Sequence, residues 1–281
     1  MIKSLSNISL GSGPENNLPL TSLGIKQLKK GYQHLIQGYE NTYETEFHYH
    51  RYLSYFLITN KIDNTVRLLF YPVTIHEKSE PSACDLLSLL VFIRDHEPIK
   101  NKKIDQIIIP IGEKSAFDLF MKHYHMVTLV IDILAPINTK AVSDIDTRKY
   151  KINAKIIDSK SLSLPFWNQT EAIHNMLKMF YLIIKFDREF LSHQNLLDNE
   201  SCCYFTMKTI NCLLANPLNS YRGLKINTLI PKPNTWISTS QNWLTELDRT
   251  KIKQTILEAF EQDQPPTKTI KAINESIIEL D

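Results

Sequence analysis

Four residues of this chain have types and positions suited to covalent chemistry. Cys202 follows Asn199-Glu200-Ser201 and opens an apolar run of helical spacing that includes Phe205, Ile210, Leu213 and Leu214. At a helix start, exposed amides and the helix dipole favour thiolate, the nucleophilic form of cysteine. His125 stands just before the β-rich run Met126–Ile133, and Asp158 ends the run Lys151–Ile157. If those runs are neighbouring strands, the aspartate reaches the imidazole, fixes its tautomer and stabilises the imidazolium. Gln194 lies eight residues before Cys202 on a polar stretch. Its amide, with a backbone N–H at the start of the Cys202 helix, suits an oxyanion. Taken singly, each has an ordinary reading: a core histidine, a turn aspartate, a solvated glutamine, a small buried thiol. In this order, each at an element end, they are the parts of thiolate acyl chemistry.

The elements that must position them follow from periodicity. Ile104–Ile111 reads as a short buried strand containing Pro110, Met126–Ile133 as a second strand and Lys151–Ile157 as a third. Upstream, helical spacing runs from Leu23 to Gln37, Phe47–Thr59 is apolar and aromatic, Arg67–Ile75 reads as a strand, and Asp85–Arg94 as a capped helix. Downstream, Asn168 and Glu171 have capping-box spacing, and Ile173, Met176, Leu177, Phe180, Ile183 and Ile184 predict one amphipathic helix. Pro217, Pro231 and Pro233 mark a loop, and helices are expected over Trp243–Phe260 and Thr269–Leu280. The expected class is α+β, a central mixed sheet flanked by helices. The expected organisation is a flexible segment over 1–20, a helical region over 21–100, a core over 101–216 and a C-terminal loop and helical extension over 217–281.

Composition narrows the chemistry. The chain has 281 residues, 32 Lys and Arg against 30 Asp and Glu, and a formal charge of +2. That balance gives no support to a protein living on phosphate contacts with nucleic acid. Glycine numbers seven, and neither G-x-G-x-x-G nor G-x-x-x-x-G-K occurs, which disfavours dinucleotide and P-loop chemistry. No apolar run has the length of a membrane span, and Met1–Leu20 lacks the continuous apolar core of a secretory signal. Cys84, Cys202, Cys203 and Cys212 form no C-x-x-C pair, so an intracellular, reducing setting is expected. Cys84 and Cys212 read as small buried hydrophobes. The pairs His48-Tyr49-His50 and His123-Tyr124-His125 have spacing that zinc can use on a strand face, without a third ligand pattern.

The order His125, Asp158, Gln194, Cys202 resembles that of the clan CE cysteine proteases. These include the ubiquitin-like-protein proteases that process SUMO, adenovirus-type proteases, and many deubiquitinases injected by intracellular bacteria. The resemblance spans roughly Asp105 to Leu214. Ile107-Ile108-Ile109-Pro110 is similar to the family's strand ending in proline, and His125 leading into Met126–Asp132 to its histidine strand. Ile156-Ile157-Asp158-Ser159 is similar to its strand ending in Asp-Ser, and Gln194 followed by Ser201-Cys202-Cys203-Tyr204-Phe205 to its glutamine and Asp-Cys-Gly-x-Phe. The chain departs from the pattern at Met126, where the family has tryptophan, and at Cys203, where it has glycine.

The resemblance implies a papain-like-type core with His125 as base, Asp158 as orienting acid, Gln194 as oxyanion donor and Cys202 as nucleophile. It implies cleavage of ubiquitin or a ubiquitin-like modifier from proteins, without metal or organic cofactor, by a bacterial effector in the host cytoplasm. Three alternatives stay open at this stage. A YopJ-type acetyltransferase uses a similar site with acetyl-CoA and inositol hexakisphosphate. An inactive protease fold would serve binding alone. A zinc-dependent hydrolase would use the H-x-H pairs.

Overall fold

The computed structural model describes residues 43–50, 53–75, 85–96, 99, 102–114, 124–136, 150–160, 169–194, 202–222 and 225–226. Eight strands form one mixed sheet: β1 (Tyr43–His50), β2 (Leu53–Asn60), β3 (Val66–Phe70), β4 (Val73–Thr74), β5 (Gln106–Lys114), β6 (Tyr124–Pro136), β7 (Tyr150–Lys160) and β8 (Leu182–Gln194). The order is β1-β2-β3-β5-β6-β7-β8, with β4 beside β5. The pairs β3/β5, β4/β5 and β7/β8 are parallel and the rest antiparallel. Parallel neighbours need a crossover. Helix α1 (Leu86–Asp95) lies in the connection from β3 to β5, and α2 (Thr170–Lys178) in that from β7 to β8. Helices α3 (Cys202–Ala215) and α4 (Leu218–Tyr221) follow β8.

Strand alternation sorts the core into two layers. Tyr55, Leu57, Leu68, Phe70, Ile107, Ile109, Val127, Leu129 and Ile131 face α1 and α2, where Leu86, Leu89, Leu90, Ile93, Ile173 and Leu177 complete one cluster. Their alternates Phe56, Ile58, Leu69, Ile108, Met126 and Val130 face the other way, onto Met207, Ile210, Leu213 and Leu214 of α3. A sheet covered on both sides needs apolar residues at both parities, which explains the unbroken Ile-Ile-Ile of β5. This is the α+β architecture expected, a central mixed sheet flanked by helices.

Two expectations are corrected. The region 21–100 was expected to be helical, yet 43–74 supplies β1 to β4, and the helical part described is α1. Phe47 and Phe56 have ring centroids 4.8 Å apart across the β1/β2 pair, and such cross-strand aromatic contacts are what stabilise a hairpin. The helix expected to run through Ile184 stops at Lys178. The N–H groups of Phe180 and Tyr181 close on the Leu177 carbonyl, and the chain turns into β8. Ile183, Ile184 and Phe186 suit a strand as well as a helix, and pairing with β7 decides between them. Gln169 occupies the N-cap of α2 without a side-chain bond, and Asn168 lies outside the described residues. The segment 1–20 and the helices expected beyond 240 also lie outside them.

Helix α3 is fixed at its far end by a buried cation. Arg67 of β3 is fully buried and donates to the carbonyl oxygens of Leu213 and, at 2.8 Å, of Asn216. Asn60 Nδ2 donates to the Leu214 carbonyl at 3.2 Å. The last carbonyls of a helix have no intrahelical partner and carry partial negative charge, so a cation there is favourable. Arg67→Met is expected to cost about 2–4 kcal/mol, the penalty for stranding buried carbonyls. An unchanged urea midpoint would show the arginine to be dispensable.

Candidate active site

Three strand ends and one helix start supply the candidate residues. His125 lies near the start of β6, opposite Glu113 near the end of β5, and Asp158 lies near the end of β7. Because β6 runs antiparallel to both neighbours, these positions fall at one end of the sheet. Cys202 opens α3. Thr206, one turn along that helix, donates to the Met126 carbonyl at 3.4 Å, tying α3 to the histidine strand.

The His125 ring is buried, with Nε2 2.7 Å from Asp158 Oδ1. An ionised carboxylate only accepts, so Nε2 carries the proton it donates. The ring's other nitrogen, Nδ1, is then left for the Cys202 thiol, which is hydrogen-bonded to His125. Asp158 itself accepts from four groups. Oδ1 takes the His125 Nε2–H and the Lys160 backbone N–H at 2.9 Å. Oδ2 takes Arg188 Nη2 at 2.5 Å and Nε at 3.2 Å. Arg188, on β8, also grips Glu113 with two parallel bonds of 2.6 and 2.7 Å.

These contacts set the charges. Burial disfavours the charged ring of His125, but Asp158 and Cys202 outweigh it and push its pKa up to about 9. Burial likewise opposes ionisation of Asp158, yet His125 and Arg188 hold its carboxyl well below the usual carboxylate range. Burial pushes Glu113 up despite its bonds to Arg188. A raised histidine pKa stabilises the fold wherever folding takes up the proton. That contribution is complete below the unfolded value of about 6.5 and is lost as pH rises through about 9, about 3 kcal/mol at most. Asp158 contributes in the opposite sense. Its share is present above the unfolded value of about 3.9 and is lost only as pH falls below the carboxylate range. The urea midpoint is therefore expected to fall from pH 6.5 to 9.5, and the fall to vanish in His125→Gln. An equal fall in that variant would place the titration elsewhere.

The structure brings together His125, Asp158 and Cys202. Gln194 ends β8 with its backbone paired to Lys160, two residues beyond Asp158, and its side chain lies outside the described part of the structure. Between Asp158 and Lys160 the β7/β8 register shifts, and Ser192 adopts a left-handed φ of 57°. A bulge with such a residue re-aims the strand end next to the site. Asp132, the other acid on β6, pairs with Gln106 Nε2 at 2.8 Å at the opposite end of the sheet. The two H-x-H pairs do not converge: His48 sits on β1, stacked on Tyr55, four strands from His125. Among the described residues, no group of three or more His, Cys, Asp or Glu is placed to hold a metal. Cys212 is half-buried on α3 against the second core cluster, where burial raises its thiol, as a packing cysteine should be. Among the described residues, no helix is long and apolar enough to cross a membrane.

Arg188 and Glu113 did not stand out in the sequence. The seven residues after Leu177, up to Ile184, fit a helix pattern, which concealed the strand that places Arg188 beside β7. Glu113 could have been noticed as a charge beside the apolar Ile107–Ile111 run.

No family model and no curated protein matches the chain. Among solved structures, the chain is similar to the Legionella pneumophila effector protein RavZ. One crystal structure aligns with a TM-score of 0.47 and 16% identity over 84% of this chain and 64% of that one. A second RavZ structure aligns with a TM-score of 0.40 and 14% identity over 85% and 68%. An ASFV protease aligns with a TM-score of 0.23 and 12% identity over 54% and 44%. The chain thus spans less than two-thirds of the length of the first of these.

Proposed function

We propose that this chain is a cysteine isopeptidase that removes ubiquitin or a ubiquitin-like modifier from proteins, acting as a bacterial effector in a host cell. One observation carries the chemical part: a buried imidazole held at Nε2 by Asp158 at 2.7 Å, with Nδ1 left to a cysteine at a helix start. The modifier and the cellular setting rest on the sequence resemblance.

At neutral pH the resting pair is the Cys202 thiolate and the His125 imidazolium, the thiol proton having passed to Nδ1. Asp158 stabilises the resulting imidazolium, and the helix start favours the thiolate. The thiolate attacks the carbonyl of the modifier's C-terminal residue. The tetrahedral oxygen takes a hydrogen bond from the Gln194 amide and from a backbone N–H at the start of α3. Collapse expels the lysine amine, which receives the proton from Nδ1. His125, now neutral, takes a proton from water as the water attacks the thioester. A second tetrahedral species collapses, the modifier leaves as a free acid, and the thiolate–imidazolium pair is restored. Every step uses groups of this chain and water.

The test is covalent labelling with C-terminal electrophilic probes of ubiquitin, SUMO and other ubiquitin-like modifiers, read by gel shift and intact mass. One probe is expected to add to Cys202 stoichiometrically. A folded protein that no probe labels would overturn the isopeptidase reading. Acetyl transfer, detected with acetyl-CoA and inositol hexakisphosphate, or modifier binding without chemistry would then take its place.

A further inference from the structure

From the geometry we infer that Arg188, clamped by Glu113, is a positioning residue that holds Asp158 against His125. The inference deepens the proposed function and rests on that reading of His125, Asp158 and Cys202.

Arg188 is bonded at both faces of its guanidinium fork. Nη1 and Nη2 grip the two oxygens of Glu113, while Nη2 and Nε both reach Asp158 Oδ2. A bidentate carboxylate pair fixes a planar guanidinium in position and plane. Thr170 Oγ1 at 3.4 Å from Nη1 adds a contact from α2, and the Gln169 backbone N–H donates to Glu113 at 3.4 Å. Phe190 on the same strand lies under the guanidinium, 5.6 Å from its ring centroid. The side chains of Glu113, Arg188 and Asp158 are 0%, 5% and 2% exposed, so water does not screen these pairs.

The consequence lies in where each Asp158 oxygen points. Oδ2 is committed to Arg188, which leaves Oδ1 directed at His125 Nε2. A carboxylate without the Oδ2 anchor rotates about its terminal torsion, which has a broad, two-fold profile. The ring would then lose the constraint that keeps Nδ1 toward the thiol. Glu113 has a second role: paired with Arg188, it prevents the guanidinium from turning fully onto Asp158 and neutralising its pull on the imidazolium. The charged and titratable groups packed here are Glu113 of β5, His125 of β6, Asp158 and Lys160 of β7, Arg188 and His193 of β8, and Cys202 of α3. Removing the side chain that anchors Asp158 Oδ2 frees the carboxylate to rotate away from Nε2, so the imidazolium loses its partner and the thiolate its support.

The test uses the rate at which iodoacetamide alkylates Cys202 between pH 4 and 9, in a chain carrying Cys84→Ser, Cys203→Ser and Cys212→Ser. This readout needs no modifier, so it separates the inference from the substrate proposal. If modifier probes fail while the alkylation result holds, the inference stands and the isopeptidase reading falls. In Arg188→Met the acid limb is expected to move up by at least about one pH unit, with a plateau about tenfold lower. Arg188→Met also strands Glu113 and can fail to fold, so the second variant is Glu113→Gln with Arg188→Met. The double variant removes the stranded charge and is expected to recover melting temperature but keep the shifted limb. A structural role alone predicts recovery of both. A parental profile in the folded double variant, or in a folded Arg188→Met, would overturn the inference.

Discussion

Cys202→Ala is expected to abolish adduct formation with a modifier probe and to lower turnover by at least about 10⁴-fold, the scale on which removal of a nucleophile acts. The fold should survive. Cys202 packs in the second core cluster at the first turn of α3, where it is 3% exposed. Removing one sulfur from that edge costs about 1 kcal/mol, within the stability of an ordinary domain. The anchors of α3 are elsewhere: Arg67 and Asn60 hold its far end, and Thr206 ties its first turns to β6. Cys203→Ala should leave appreciable labelling, because the thiol coupled to His125 is that of Cys202. Intact mass after probe treatment, with a melting curve for each variant, decides the matter. A labelled Cys202→Ala and an unlabelled Cys203→Ala would move the nucleophile by one residue.

Legibility varied with how local the signal was. The capped helix was readable because Asp85 sits directly before the apolar run and bonds the Ser88 N–H at 2.8 Å, a contact within one turn. β5 and β6 were readable from their near-continuous apolar runs, and β7 from the alternation of Ile152, Ala154 and Ile156 with polar neighbours. β1 and β2 were not, because their aromatic-rich alternation has little β-branching and becomes a hairpin only through cross-strand contacts such as Phe47 with Phe56. The helix over Ile173–Ile184 was over-extended because Ile183 and Ile184 satisfy both periods, and pairing with β7 decides between them. For the site, element ends were readable one by one, so His125, Asp158 and Cys202 could be named. What a sequence cannot express is a contact such as Arg188 with Glu113, 75 positions apart, in which two charges are tolerable only because each buries the other. Such a pair looks in the sequence like two solvated surface residues.

Asp158→Asn is expected to reduce turnover by about 10²–10⁴-fold, the range seen when an orienting acid becomes an amide. The hydrogen bonds explain why. The carboxylate accepts from His125 Nε2–H, the Lys160 N–H and two atoms of Arg188, all donors. An asparagine has one accepting oxygen and one donating amine. With the oxygen toward His125, the amine opposes the guanidinium, donor against donor. With the amine toward His125, the ring must accept at Nε2 and carry its proton on Nδ1, the nitrogen needed to take the proton of Cys202. Either arrangement removes the charge that offsets burial of the imidazolium, so the ring becomes neutral at pH 7. Arg188 keeps its bidentate hold on Glu113, so the fold should persist with a lowered melting temperature. Asp132→Asn is the control. That carboxyl pairs with Gln106 seven residues along β6, about 23 Å of extended strand from His125. It should change turnover by less than about threefold, the effect of a side chain remote from the reacting atoms. The histidine C–H proton shifts, followed by NMR from pH 5 to 10, should show the His125 titration near 9 in the parent and in Asp132→Asn. In Asp158→Asn the same titration should fall below neutrality. Equal loss of turnover in the two variants would mean that the acid serving His125 is Asp132.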